Sequence, residues 1–364
     1  MRKFIWLFFA LLLCLPTAVS AEAYDEMDDQ VYALYDTNGV YLTSRAGRVY
    51  VDDEYIASDD KLYRVRTVDD AALTAQAEYL GYEPENDQAA FALIGAARAE
   101  AKKLVSMYST HSDESYVPSD GTSSKTQGAG IYDVGDALKK NLEAKGIEVK
   151  YSKDTFLPHD AGAYRRSRSA AEDLVKERPA ALLDLHRDGI PNAKEYKEQL
   201  GGEDISKMRL LVGRSNPNAN ANRAFAKQIK KTADKKYPGL VKDIFIGKGN
   251  YNQELYPKAL LLEFGTHTTN KKEAIKATEY AANVLDDVLF GATAQAAPTK
   301  AADNQAGGSG IAWVIGLAAA AAIVYALVAT GSFKTMGQKL KRGTSEVTGG
   351  LVGKKPKDED KDKL

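Results

Sequence analysis

Two histidines and two carboxylates stand where short apolar runs of this chain end. Leu104 to Tyr108 runs into Ser109-Thr110-His111-Ser112-Asp113-Glu114, Ala180 to Leu185 runs into His186-Arg187-Asp188, and Leu260-Leu261-Leu262 runs into Glu263. Such runs are too short for free-standing helices and read as strands of a sheet covered on both faces. Ligands of these sheets bind beyond the carboxyl ends of the strands. The residue types are those of hydrolytic zinc, which favours two imidazoles and one carboxylate with a position left for water, while a separate carboxylate works as base. His111 and Glu114, three apart on one turn, and His186 are therefore candidate ligands of Zn2+, with Glu263 the candidate base.

Other side chains around these four are candidates for supporting work. Asp184 and Asp188 flank His186; Asp188 is placed either to hydrogen-bond a ligand histidine or to hold substrate, and strand alternation decides which aspartate faces the site. His267, on the turn after Glu263, is a candidate to steady a tetrahedral oxyanion or, alternatively, a cap on the following helix. Asp160 reads as the N-cap of a helix from Ala161 to Val175, and His159 before it lies within reach of the metal edge. Arg165 and Arg168 in that helix suit bidentate reading of substrate carboxylates. Asn252 is an amide suited to substrate hydrogen bonds, with turn formation as its alternative.

The elements that must position these residues alternate strand and helix, the pattern of an α/β fold. Strands are expected at Leu104 to Tyr108, Glu148 to Tyr151, Ala180 to Leu185, Arg209 to Val212, Asp243 to Phe245 and Leu260 to Glu263. Ile131, Val134, Leu138 and Leu142 fall at helical spacing, as do Ala274, Ile275, Thr278, Ala281, Leu285 and Val288. The fold class expected is a mixed or mostly parallel sheet flanked by helices over residues 89–291. Before it, residues 22–88 read as a small β-rich module, with strands at Gly39 to Leu42, Arg48 to Val51 and Leu62 to Val65 and a closing helix from Thr67 to Leu80.

Composition narrows the class. A net charge of -1 and no basic patch interleaved with aromatics argue against a nucleic-acid partner. Residues 1–21 have the basic start, apolar core and small-residue end of a signal peptide. Cys14, the only cysteine, lies inside it, so the mature chain has neither disulfides nor thiolate zinc sites. Residues 292–310 read as a flexible tether and 311–330 as a membrane-spanning helix. Lys334, Lys339, Lys341 and Arg342 follow, which places the charged tail, 331–364, in the cytoplasm and the rest outside.

The order His-x-x-Glu, then His after a strand, then Glu after a later strand is similar to that of zinc carboxypeptidases and their amidase relatives. More specifically, Tyr108 to Tyr116, Leu183 to Asp188, Tyr251-Asn252-Gln253 and Leu261 to Thr268 closely resemble the stage II sporulation protein P family. The resemblance covers roughly Tyr32 to Gly291. It implies a zinc-dependent amidase of peptidoglycan that cuts N-acetylmuramoyl-L-alanine bonds, with an endopeptidase activity, acting in engulfment alongside stage II sporulation proteins D and M. The chain departs from the family in its anchor, since members commonly hold the membrane by an N-terminal helix and this sequence places the span near its C-terminus. A zinc carboxypeptidase acting on wall peptides would use the same four residues, and a wall-binding scaffold would be expected to have lost one of them.

Overall fold

The charged turns of the N-terminal region separate five strands: β1 (Val31–Asp36), β2 (Tyr41–Ala46), β3 (Glu54–Ile56), β4 (Lys61–Asp69) and β5 (Thr74–Tyr82). After them come β6 (Leu104–Tyr108), β7 (Glu148–Tyr151), β8 (Ala181–Asp188), a hairpin of β9 (Lys197–Leu200) and β10 (Glu203–Ser206), then β11 (Met208–Gly213), β12 (Val241–Gly247) and β13 (Ala259–Thr266). Apart from a single turn at Val117–Asp120, the helices are α1 (Gly130–Glu143), α2 (Ala163–Lys176), α3 (Ala219–Lys236) and, after the last strand, α4 (Lys271–Phe290). The computed structural model describes residues 30–84, 102–160 and 162–291. Among these, no helix is long and apolar enough to cross a membrane. The expected signal peptide, tether, span and tail lie outside them, as does the boundary expected at residue 88.

One mixed sheet of 11 strands, in the order β2-β1-β5-β4-β3-β12-β11-β13-β8-β6-β7, holds all but the β9–β10 hairpin. The N-terminal strands join the helix-flanked part through the antiparallel pairing of β3 with β12. On the other side of β12 the neighbours are parallel except β11 against β13.

Strand alternation divides the apolar residues between the two faces. On one face Leu183, Leu185, Leu210, Val212, Ile244, Leu260 and Leu262 pack under α1, α3 and α4, whose stripes Ile131-Val134-Leu138-Leu142, Phe225-Ile229 and Ala277-Ala281-Leu285 are buried against them. This is the main core. Each such leucine, fully withdrawn from water, contributes about 1.5–3 kcal/mol. On the other face Leu182 meets Ala171 and Leu174 of α2, while Leu211, Phe245 and Leu261 meet Tyr32 and Leu34 of the N-terminal strands. The second face is also the one on which polar residues gather, Asp184, His186, Asp188, Arg209 and Asp243 among them, all buried.

Three expectations about elements change. Thr67 to Leu80 is not a helix but the end of β4, a turn, and β5. The alanines there suggested helix, yet Ala75 and Ala77 are buried with period two, and Asp69 Oδ1 accepts from the amides of Ala71 and Ala72 (3.0 and 3.0 Å) to close the turn. Arg48 to Val51 is a loop, with the strand of that region at Glu54–Ile56 instead. Asp160 is not an N-cap: α2 begins one residue after Gly162, and Asp160 Oδ1 accepts from the Gly162 amide (2.8 Å) and from Arg166 (2.6 Å).

Candidate metal centre

Register pairing sets the core of the site. Asp243 on β12 pairs with Arg209 on β11, Arg209 with Glu263 on β13, and Glu263 with His186 on β8. Paired residues share a face, so four neighbouring strands carry one polar row from Asp243 to His186. Along β8 the alternation puts Asp184, His186 and Asp188 on that same side. Beyond the end of β6, the loop Ser109 to Tyr116 is wholly buried and carries His111 and Glu114 towards His186.

The ligand atoms of His111, Glu114 and His186 lie within 4.8 Å of one another, and all three residues are buried. Glu114 Oε1 is the common point, 3.5 Å from His111 Nδ1 and 3.4 Å from His186 Nδ1. Its other oxygen accepts from the Arg187 amide at 2.9 Å, which fixes the carboxylate plane. Behind His186, Asp184 Oδ1 sits 3.0 Å from Nε2, off the line of a hydrogen bond. Asp184 is held in turn by the Thr110 amide (2.8 Å) and hydroxyl (2.7 Å). Rings wall the group: His159 stacks on His111 at 4.1 Å between centroids, and Tyr164 stands edge-on to His111 at 5.5 Å.

Charge balance follows from this crowding. Burial alone would raise the Glu114 carboxyl, but the His186 charge and hydrogen bonds from both histidines hold it well below the usual carboxylate range. Burial opposes charge on His186 too, and Asp184 and Glu114 outweigh it, so its imidazole is pushed well above the ordinary histidine value. Glu263 differs. Burial and the neighbouring Asp188 push its carboxyl up to about 7, against the pull of Arg209, Arg45 and His186.

The sequence pattern of the family described as Stage II sporulation protein P (SpoIIP) matches residues 48–286. The chain belongs to the stage II sporulation protein P family. It is 31% identical over 210 residues to Stage II sporulation protein P of Bacillus subtilis (strain 168), an overlap of 52% of each chain, and so spans about half the length of that curated relative. Among solved structures it is similar to the N-acetylmuramoyl-L-alanine amidase AmiC2 of Nostoc punctiforme, at 12% identity and a TM-score of 0.32 over 51% of this chain and 94% of that one. It is also similar to the catalytic domain of CwlV, an N-acetylmuramoyl-L-alanine amidase from Bacillus (Paenibacillus) polymyxa var. colistinus, at 15% identity and a TM-score of 0.33 over 52% and 98%. Those scores mark a loose likeness, and the geometry of the site stands on this chain alone.

In this member of the SpoIIP family the donor set fits zinc: two imidazoles and a carboxylate converge, buried, with a further carboxylate on the adjacent strand position. The remaining residues singled out in the sequence fall elsewhere. Asp188 faces the site side of β8 but is taken by Arg209 Nη1 (3.0 Å), the Tyr196 hydroxyl (2.8 Å) and the Gly189 amide (2.7 Å). It neither backs a ligand histidine nor is open to substrate. His267 is outside the cluster; its amide donates to Asp188 O at 3.0 Å, and the helix cap falls to Asn270. Arg165 is exposed on α2. Arg168 is committed to Glu254 and to Glu172. Asn252 is buried, with its amide donating to Tyr164 O (2.9 Å) and Ser167 Oγ (3.1 Å), so it ties a loop to α2.

Sequence reasoning missed Arg209, Tyr196, Tyr164 and Arg45. Arg209 is the largest fully buried side chain among the described residues, gripped by both oxygens of Asp243 (2.7 and 3.0 Å) and lying 3.9 Å from Glu263 Oε2. The signal was present: a charge inside the apolar run Met208-Arg209-Leu210-Leu211-Val212 matches another in Val241-Lys242-Asp243-Ile244-Phe245. Charges within buried strands need partners. Tyr196, whose hydroxyl reaches Glu263 Oε2 at 3.2 Å, comes from a short helical turn with no such mark.

Proposed function

We propose that this chain is a membrane-anchored, zinc-dependent peptidoglycan hydrolase that cuts the N-acetylmuramoyl-L-alanine amide bond, and stem-peptide cross-links as a second target, during engulfment in sporulation. The observation that carries the reading is the buried meeting of His111, Glu114 and His186 with Glu263 in register beside them. Family membership supports the sporulation and cell-wall setting.

His111, Glu114 and His186 would hold the ion. Zinc supplies Lewis acidity, which makes water easier to deprotonate near neutrality and an amide carbonyl easier to attack. Glu263 is the proton carrier. It takes a proton from the attacking water and hands it to the leaving amine, and a carboxyl whose affinity for protons is matched to neutral pH does both steps efficiently. Arg209 and Tyr196 orient Glu263 from one side, and Asp184 braces His186 from behind. The apolar segment 311–330 would keep this site outside the cell membrane with the charged tail in the cytoplasm. Stage II sporulation proteins D and M are the proposed partners.

Mass spectrometry of purified peptidoglycan digested with the chain tests the reading. Release of intact stem peptides from the glycan is expected. Trimming of terminal residues alone would mean a carboxypeptidase, and no release at all would mean a wall-binding scaffold.

A further inference from the structure

Arg45, at the end of β2, brings a cation to the site that forms no ion pair with a carboxylate among the described residues. Its Nη2 donates to the Tyr251 hydroxyl at 3.0 Å and its Nη1 to Arg48 O at 3.1 Å, while its guanidinium carbon lies 4.6 Å from the centre of the Phe245 ring. Two of its five N–H groups are thus used, and both acceptors are neutral. The other cations around the site are satisfied internally. Arg209 holds Asp243 and Asp188, Arg168 holds Glu254 and Glu172, and Arg187 donates to the carbonyls of Ser115, Asp188 and Ser123.

The position of Arg45 also suits a ligand. Tyr251, its hydrogen-bond partner, packs at 5.3 Å on Tyr164, which in turn packs on His111, so the guanidinium is two aromatic rings from the metal group. Glu263 lies within its electrostatic reach. The backbone packs closely behind it: a Cβ on Gly247 would stand only 3.1 Å from Arg45 Nη1 and 3.1 Å from the Tyr251 hydroxyl, so the absence of a side chain there lets the pair sit where it does. A half-buried guanidinium over an aromatic face, with free N–H groups in a planar fork, is built to take a carboxylate.

We propose that Arg45, with Tyr251, forms a carboxylate-binding subsite that holds a free carboxylate of the stem peptide next to the bond to be cut. The assignment rests on the hydrolase reading for the identity of that peptide. It gives the N-terminal strands a part in substrate choice, a role that the sequence suggested for the arginines of α2.

The test compares an N-acetylmuramoyl peptide bearing free carboxylates with the same compound after conversion of those groups to carboxamides. Binding to the zinc-loaded full chain carrying Glu263→Gln is measured by titration calorimetry, so that no turnover intrudes. The acid should bind on the order of 10- to 100-fold more tightly than the amide, and adding Arg45→Gln should bring the acid to the level of the amide. If Arg45→Gln does not fold, Arg45→Lys reports instead, because an ammonium keeps the charge but loses the planar fork and should weaken the acid more than the amide. Equal binding of the two compounds, or a preference that survives these substitutions, overturns the subsite. A wild-type chain that cuts no peptidoglycan, with the acid preference intact, would overturn the hydrolase reading and leave the subsite standing.

Discussion

At the scale of single residues, His186 is held between two carboxylates, and the same contacts that orient it for a metal favour a proton on it. Asp184 and Glu114 raise its proton affinity more than burial lowers it. A metal must displace that proton, so apparent zinc affinity should rise with pH through the neutral range and beyond. Competition with a fluorescent chelator at a series of pH values measures this, and a flat profile would contradict it. Glu263 leads to a different expectation. Its pKa in the metal-free fold is about 7 against an ordinary 4.5, so the folded chain keeps a proton that the unfolded chain releases between those values. Stability of the metal-free protein therefore falls as pH rises from about 4.5 to 7, by about 3 kcal/mol from this one group. Glu263→Gln has no charge to bury and should be more stable than the parent at pH 8, with the difference gone near pH 4, as read by urea denaturation. In the zinc-loaded enzyme the same change should lower turnover by at least ~10²-fold. The four residues proposed for the chemistry were legible because each ends an apolar run. Asn252 and Arg168, named from sequence as candidates to hold substrate, are engaged with the protein itself, since a polar side chain that ties a loop to a helix looks in sequence like one that waits for substrate.

At the scale of elements, the row from Asp243 to His186 depends on strands far apart in sequence being neighbours in the sheet. Arg209 is its structural centre, and its guanidinium is 0% exposed. Removing it by Arg209→Met leaves Asp243 and Asp188 buried without their counter-charge, a change that costs about 3–5 kcal/mol. Urea denaturation measures it; a loss under about 1 kcal/mol would show that the pair is dispensable. The strands around the row were legible from their short aliphatic runs, and α1 and α4 from apolar residues at helical spacing. The helix α3 was not, because its start, Asn218-Ala219-Asn220-Ala221-Asn222, reads as turn chemistry. Two of those asparagines in fact serve the fold: Asn218 Nδ2 donates to the Glu254 carbonyl at 2.8 Å, and the two N–H groups of Asn222 Nδ2 are shared among the carbonyls of Tyr256, Pro257 and Ala259 at 3.0, 3.2 and 3.1 Å. The β5 strand was missed for the converse reason, that alanine favours helix unless burial repeats every second residue.

At the scale of the whole chain, the N-terminal strands extend the sheet that carries the candidate centre, and Thr43, Ser44 and Arg45 reach into its polar row and its wall. Sequence marked β2 and β4 among these strands, but not β3 or its pairing with β12, because pairing between remote strands leaves no local pattern. The proposed anchoring makes a separate prediction: protease added to cells stripped of their wall should remove the part before residue 310 and spare the tail after Lys334. Digestion of the tail instead would reverse the orientation. The most direct test of the central claim, that His111, Glu114 and His186 hold a metal for which Glu263 is the base and not a ligand, is elemental analysis of purified variants after zinc loading. The wild-type chain and Glu263→Gln should each carry about one zinc, and His111→Ala and His186→Ala should carry none while keeping a cooperative unfolding transition. Zinc retained by both histidine variants, or lost from a well-folded Glu263→Gln, would contradict the account.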